Sequence, residues 1–444
     1  MEERHKRLLI KQNPWWQDEK IEIPQFERAL MQELLKYIDY KQILGIVGLR
    51  RVGKTILIKQ IVQKLKVSKF NICYIAFDDI DFQNYRIAEA LINYFLEYSK
   101  KEERRYLFLD EVQKLPHWAD LLKTYYDLEE NLKIFVSGSA SLEIKEYKET
   151  LAGRLLTFHL PILTFQEFVR YFGMEYCISE NLFREYDLKF ITKKERYKEL
   201  FESYLVKGAF PELLEVNNIE FIKKYIKESV IEKAIFDIAR ITRENEKIIY
   251  ELFRLLVKSN SQLFEIKNLA NTLSINRNLV SKYINFLEKT FLIRISYNFT
   301  ASVAKQVRAS KKQYCAHSSI GIALLDYPTE ILKTDIAGHL VEATIANSIE
   351  GISFWRTPYH EVDIILKQNA KIIPIEVKYK AQIDKTDIKS LVKFMEEFKV
   401  KQGFIISRDL LTQEKINDFE IIYIPAWLFL LIDHSFLIKG SIKK

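Results

Sequence analysis

Apolar positions in the first third of the chain fall into two alternating rhythms. Ile43–Val47 is a short apolar run, and Ile56, Leu57, Ile61 and Leu65 recur at helical spacing soon after it. Further runs at Ile72–Phe77, Tyr106–Leu109 and Ile134–Val136 predict a parallel sheet between helices, with any ligand at the carboxyl ends of its strands. Residues 169–245 read as helical and charged. Three apolar stripes then follow: Ile248, Leu252, Leu255 and Leu256; Ile266, Leu269, Ala270 and Leu273; and Leu279, Val280, Tyr283, Ile284 and Leu287. Ser274-Ile275-Asn276 is a capping turn between the second and third, which is the spacing of a winged helix. Gly338–Ser348 predicts an amphipathic helix, and Ile352–Trp355, Val362–Leu366 and Ile372–Lys378 predict strands.

The first strand runs into Gly48-Leu49-Arg50-Arg51-Val52-Gly53-Lys54-Thr55, a G-x-x-x-x-G-K-[ST] loop in the strand-to-helix context it requires. Glycines allow the backbone to wrap a phosphate, and the helix start offers free N–H groups. Lys54 is placed to neutralise β- and γ-phosphates, and the Thr55 hydroxyl to ligate Mg2+. Asp110, at the end of the Tyr106–Leu109 strand, fits the magnesium carboxylate, and Glu111 the base that orients the attacking water. Ser137-Gly138-Ser139 ends the next strand, and Ser139 is a candidate γ-phosphate sensor or simply part of a turn. Without an N-K-x-D segment, ATP is favoured over GTP.

Composition narrows the classes. Only 12 of 444 residues are glycine and 9 are proline, which excludes collagen-like and linker-rich chains. Cys73, Cys177 and Cys315 stand singly, as in a reducing compartment. The first residues carry no apolar leader and the longest apolar stretch, near Ile424–Ile432, is far short of a membrane span, so a cytoplasmic protein without a membrane partner is expected. Net charge is +8, yet residues 247–312 hold 12 Lys and Arg against 3 Asp and Glu, a local +9. That balance suits either an anionic partner or a solvated basic face. Arg277, Asn278, Ser281, Lys282 and Asn285, with Lys289, lie outward on the third helical stripe and suit phosphate and base-edge contacts in DNA; a protein-contact module is the alternative.

Near the C-terminus a second constellation appears: Glu342, Glu361-Val362-Asp363 and Glu376-Val377-Lys378. In a strand, residues i and i+2 share a side, so Glu376 and Lys378 project together, with Asp363 on a neighbouring strand. Asp363 and Glu376, completed by Glu342, form a candidate Mg2+ shell, with Lys378 to activate water. Taken alone, Glu-x-Lys on a strand is also ordinary surface alternation.

Residues Asn13 to about Phe168 resemble a family of archaeal and bacterial AAA-type ATPases related to the STAND group, through the phosphate loop, Leu107–Gln113, Ser137–Ser139, Leu151-Ala152-Gly153-Arg154 and Pro161–Phe168. The resemblance implies ATPase roles for Lys54, Thr55, Asp110 and Glu111. It matches Arg154 to a Gly-Arg pair, either as a γ-phosphate contact in its own chain or a neighbouring one, or as a structural ion pair. Gly208-Ala209-Phe210-Pro211-Glu212 resembles the family's lid turn. The C-terminal pattern resembles the PD-(D/E)xK nuclease core and the domain of unknown function that follows the ATPase. Where such chains often have Asp-x-Gly-Leu, this one has His317-Ser318-Ser319-Ile320, a departure expected to loosen that contact.

The expected class is therefore α/β: a P-loop three-layer parallel sheet (residues 1–168), a helical lid (169–245), a winged helix (246–300) and a small nuclease-like α/β domain (301–444). The expected function is hydrolysis of MgATP coupled to a module acting on DNA, with metal-dependent cleavage and a homo-oligomer as open expectations. The alternative is a nucleotide-gated binding switch with a catalytically silent C-terminal scaffold.

Overall fold

The computed structural model describes residues 2–138, 150–174, 182–300, 310–368, 371–434 and 437, and divides into two units, Met1–Pro161 and Ile162–Lys444. In the first unit, β1 (Ile43–Val47), β2 (Ile72–Ala76), β3 (Arg105–Asp110), β4 (Leu132–Gly138) and β5 (Leu155–His159) form an all-parallel sheet in the order β2-β3-β4-β1-β5. The central strands read as unbroken apolar runs because both their faces are buried. The edge strand β5 is only half-buried and lacks that signature. Helices α1 (Glu3–Gln12), α2 (Lys54–Lys64), α3 (Tyr85–Tyr98) and α4 (Trp118–Leu128) complete the unit.

The opposite edge, β2, is closed by side chains. Gln12, the last residue of α1, and Asn13, its C-cap, bond the main chain of Ala76 and Tyr74 as a further strand would. Asn13 is fully buried: its Nδ2 donates to Tyr74 O at 2.8 Å and its Oδ1 accepts from Tyr74 N at 2.7 Å. The Trp15 and Trp16 indoles both donate to Ile72 O. The backbone donors and acceptors of an edge strand are thereby used up.

The second unit starts before Phe168. Leu163 N bonds Ala209 O at 3.1 Å and the Tyr204 hydroxyl donates to Leu163 O at 2.8 Å, so the Pro161–Phe168 motif is divided after Pro161. Helices α5 (Phe165–Tyr171) and α6 (Lys194–Lys207) lead into α7 (Glu246–Lys258), α8 (Ile266–Leu273) and α9 (Arg277–Lys289). An antiparallel sheet follows, made of β6 (Leu263–Phe264), β7 (Ile293–Tyr297) and β8 (Lys311–Cys315) in the order β6-β8-β7. Beyond α10 (Ser318–Leu324) and α11 (Ile336–Ser348) stands a mixed six-stranded sheet: β9 (Ile352–Arg356), β10 (Glu361–Gln368), β11 (Lys371–Lys378), β12 (Gln402–Ser407), β13 (Thr412–Ile416) and β14 (Phe419–Pro425). Its core packs Trp355, Val362 and Ile405 against Leu391 and Phe394 of α12 (Lys389–Phe398).

At the departure from Asp-x-Gly-Leu, His317 makes a contact of its own. It caps α10: the ring Nδ1 accepts from Ser319 N at 3.0 Å, the role a carboxylate oxygen would play. The ring is buried edge-on against Tyr204, and that burial pushes its pKa down to about 3.

Replacing Asn13 with Ala would strand the buried Tyr74 N–H and C=O, and a loss of about 2–3 kcal/mol in denaturant unfolding of the first unit is expected. The lowered His317 pKa sets a pH dependence. Unfolded histidine titrates near ~6.5 and takes up a proton that the folded ring refuses, so the His317 contribution is whole above ~6.5 and is lost as pH falls toward 3. His317→Asn keeps the cap acceptor without titrating, so the stability difference between the two proteins should change with pH only below ~6.5.

Candidate functional site

The phosphate loop lies where β1 ends, and the register brings the other functional strand ends to the same edge: Val47 pairs Gly138, and Leu109 pairs Val136. Gly48 is required by close approach, since a Cβ there would stand 2.3 Å from Leu160 O. Gly53 has φ +97°, and Arg51 also takes a left-handed conformation, the curvature a phosphate cradle needs. Lys54 opens α2, is buried, and folds across the loop to donate to Gly48 O at 3.0 Å and Leu49 O at 2.9 Å.

Asp110 is held by hydroxyls. Thr55 Oγ1 donates to its Oδ2 at 2.6 Å, Tyr74 OH to the same oxygen at 2.7 Å, and Ser137 Oγ to Oδ1. Burial, and then Asp110, push the Tyr74 phenol far up, so it stays a donor. These partners are neutral, which leaves the negative charge of Asp110 for a cation. The donor set of Thr55 hydroxyl and Asp110 carboxylate, within one hydrogen bond of each other, fits Mg2+, which takes one or two protein oxygens and keeps several waters. Glu111 follows in a left-handed conformation, φ +56°, and its Oε2 accepts from Gln113 at 2.6 Å. Strain of this kind clusters at functional sites. Ser139 lies outside the described residues; Ser137, two residues earlier in β4, is the serine that touches Asp110. Tyr74 was not singled out from the sequence because an aromatic in a buried strand carries no signal of its own.

Arg154 stands at the wrong end of the sheet for its own chain's phosphate loop. Its carbonyl accepts from Ile43 N at the start of β1, whereas the loop follows the end of that strand, and its guanidinium makes a bidentate pair with Asp127 at 2.9 and 3.2 Å. The structural ion pair is what this placement provides.

In the second unit, Glu342 of α11, Asp363 of β10 and Glu376 of β11 come together, with Lys378 Nζ 2.6 Å from Glu376 Oε1. Between them stands a residue not singled out from the sequence. Lys312 of β8 is 1% exposed, and its Nζ lies 2.6 Å from Glu342 Oε1, 2.9 Å from Glu361 Oε1 and 3.0 Å from Asp363 Oδ1. Asp363 Oδ2 accepts from Val377 N, and Glu376 Oε2 from Asp363 N. The cluster floors a cleft of about 510 Å3 whose more exposed rim carries Arg356 and Lys378. Burial opposes charge on Lys312 and on Asp363, but opposite neighbours outweigh it: Lys312 is held charged, and Asp363 stays below the usual carboxylate range. Burial, and then Asp363, raise both Glu342 and Glu376 to about 8.

That arrangement does not fit the expected Mg2+ shell of Glu342, Asp363 and Glu376. The oxygens that would converge on a metal converge on Lys312, while Glu376 turns to Lys378. Among the described residues no group of three His, Cys, Asp or Glu side chains is placed to hold a metal ion. The signal for Lys312 was its i, i+2 relation to Tyr314, whose hydroxyl reaches Glu342 Oε1 at 3.3 Å, but in sequence it reads as part of a basic run.

On α9, Arg277, Asn278, Ser281, Lys282 and Asn285 are all exposed on one face. Two are already engaged: Lys282 pairs with Glu244, and the Ser281 hydroxyl bonds back to Arg277 O.

Comparison with known proteins places three family matches along the chain, the first of which runs past Pro161. Residues 40–169 match the family described as AAA domain; residues 198–330 and 331–428 match two domains of unknown function, DUF8612 and DUF4143. An uncharacterized protein of Methanocaldococcus jannaschii is 29% identical over 433 residues, covering 91% of this chain and 88% of that one. The crystal structure of Cdc6p from Pyrobaculum aerophilum aligns at 10% identity and a TM-score of 0.29 over 69% of this chain and 96% of its own. A STAND protein with a tetratricopeptide repeat sensor from Pyrococcus horikoshii aligns at 11% identity and a TM-score of 0.28 over 76% of this chain and 47% of its own. The first unit is an AAA-type P-loop domain, and it is followed by regions of unknown function. Among the described residues no helix is long and apolar enough to cross a membrane.

Proposed function

We propose that the chain is an ATP hydrolase whose second unit is its output and contacts DNA. One observation carries the ATPase reading: Thr55 and Asp110 share a 2.6 Å hydrogen bond beside a buried Lys54 at the mouth of the phosphate loop. Bound Mg2+ would draw charge from the β- and γ-phosphate oxygens. Lys54 and the loop N–H groups would hold the phosphates, and the Thr55–Asp110 pair would hold the ion. Glu111, steadied by Gln113, takes a proton from the attacking water. An arginine contact through Arg154 would be made to a neighbouring copy, since in its own chain the guanidinium lies at the far sheet edge on Asp127.

DNA contact is supported by the local +9 charge and by the exposed face of α9, a winged-helix recognition helix in this reading, with Arg277, Asn278 and Asn285 as its contact residues. For the C-terminal β module a second reading is favoured by a specific observation. The Lys312 ammonium occupies the carboxylate cluster that a PD-(D/E)xK nuclease would use for metal, so the module serves here as a nucleotide-gated binding scaffold that does not cut.

Lys54→Ala should lower ATP affinity by about a hundredfold, read by titration with a fluorescent ATP analogue. Glu111→Gln should keep binding and reduce turnover by about 10²–10⁴-fold. Hydrolysis unchanged in both variants would remove the ATPase reading. For duplex DNA followed by fluorescence anisotropy, Arg277→Ala should weaken binding about five- to tenfold and flatten its salt dependence, while Lys282→Ala, already paired with Glu244, should weaken it less. No loss in either variant would move the DNA contact away from α9.

A further inference from the structure

We infer that the carboxylate cluster of the second unit is a cation site whose cation is supplied by the chain itself: the Lys312 ammonium, held by Glu342, Glu361 and Asp363, takes the place of a divalent ion, and the folded chain binds no metal there. The inference deepens the scaffold reading of the C-terminal module and is independent of ATP hydrolysis.

The geometry suits an ammonium. Three carboxylate oxygens, from Glu342, Glu361 and Asp363, lie 2.6–3.0 Å from Nζ, one for each N–H that a lysine carries. Oxygens around Mg2+ would close to about 2.1 Å, and around Ca2+ to about 2.3–2.6 Å. The remaining ligand expected from the sequence, Glu376, is engaged by Lys378 Nζ and by Asp363 N. The plug also comes from another module. Lys312 lies on the central strand of the β6-β8-β7 sheet, next to helices α7–α9, whereas Glu361 and Asp363 belong to the six-stranded sheet and Glu342 to α11.

The probe is Mn2+, used with the full chain, free of nucleotide, in an Asp110→Asn background that removes the carboxylate of the other candidate ion site. Free Mn2+ is followed by electron paramagnetic resonance. The Asp110→Asn parent should show no saturable site. Adding Lys312→Met should create one, at least about tenfold tighter than residual binding in the parent, and adding Asp363→Asn should abolish it. Because Lys312→Met leaves buried carboxylates without their partner, its melting temperature is measured as well. Mn2+ should raise it, and should not raise that of the Lys312→Met, Asp363→Asn protein. A saturable Mn2+ site in the parent that Asp363→Asn removes would overturn the inference. So would a Lys312→Met protein that neither binds Mn2+ nor is stabilised by it. Neither result bears on the Lys54 and Glu111 outcomes, which test ATP hydrolysis separately.

Discussion

A charged ammonium with almost none of its surface in water is tolerable only if oxygens replace every lost water, and Lys312 meets that demand by drawing three elements to one atom. β8, α11 and β10 have no strand pairing in common at this point; the contacts of Nζ with Glu342, Glu361 and Asp363 hold them together, alongside the Tyr314 hydroxyl and the Asn347 amide. The charges do not balance locally. Lys312 and Lys378 face the three buried carboxyls of Glu342, Asp363 and Glu376, while the half-buried Glu361 has Arg356 at 3.0 Å as well as Lys312. One carboxyl of the buried three is left to hold a proton, and the upward shifts of Glu342 and Glu376 express that shortage. The cluster is thus a closed network in which removing any one charge exposes another.

The two acid-centred sites of the chain differ in what surrounds the acid. Asp110 is fixed by the hydroxyls of Thr55, Tyr74 and Ser137, which orient the carboxylate without cancelling its charge. Asp363 is fixed by the Lys312 ammonium on one oxygen and Val377 N on the other, and the ammonium cancels its charge as well as orienting it. Neutral donors leave an acid ready for a divalent ion, and cationic donors satisfy it. The same residue type at the end of a strand therefore has opposite capacities, and the partner type decides between them. This contrast is why the magnesium expectation fits the first unit and fails in the second, where a lone Glu-x-Lys on a strand also reads as surface alternation.

What was legible in the sequence was what covalent spacing carries. The phosphate loop is eight consecutive residues, so its strand–turn–helix context and the roles of Gly48, Gly53, Lys54 and Thr55 follow without knowledge of the fold. The two-residue period of a strand put Glu376 and Lys378 on one side, and they stand 2.6 Å apart. Apolar runs marked the central strands, and the half-buried β5 left no such run. Lys312 was hidden because its acceptors Glu342 and Asp363 lie 30 and 51 residues further on, and a lysine within a basic segment signals solvent rather than a core. Arg154 was hard to place for a different reason: a Gly-Arg pair beside a strand does not say which end of the sheet it occupies, and the pairing of Ile43 with Leu155 answers that only in three dimensions.

The position of β8 bears on what counts as a domain here. A boundary drawn after residue 300 puts β8 with the C-terminal module, yet its backbone belongs to the sheet with β6 and β7. The matched families divide later, between residues 330 and 331, which assigns β8 to the module before it. Both divisions cut the same network: the backbone hydrogen bonds of β8 point one way and the side chain of Lys312 points the other. Excising the six-stranded module without β8 would leave Glu342, Glu361 and Asp363 facing one another with their shared cation gone, and excising the preceding module would carry a buried lysine into water with its partners left behind. The Lys312 ammonium therefore ties β8 to the carboxylates of α11 and β10, beside the hydrogen bonds that the Tyr314 hydroxyl makes to Glu342 and to Asp363 O.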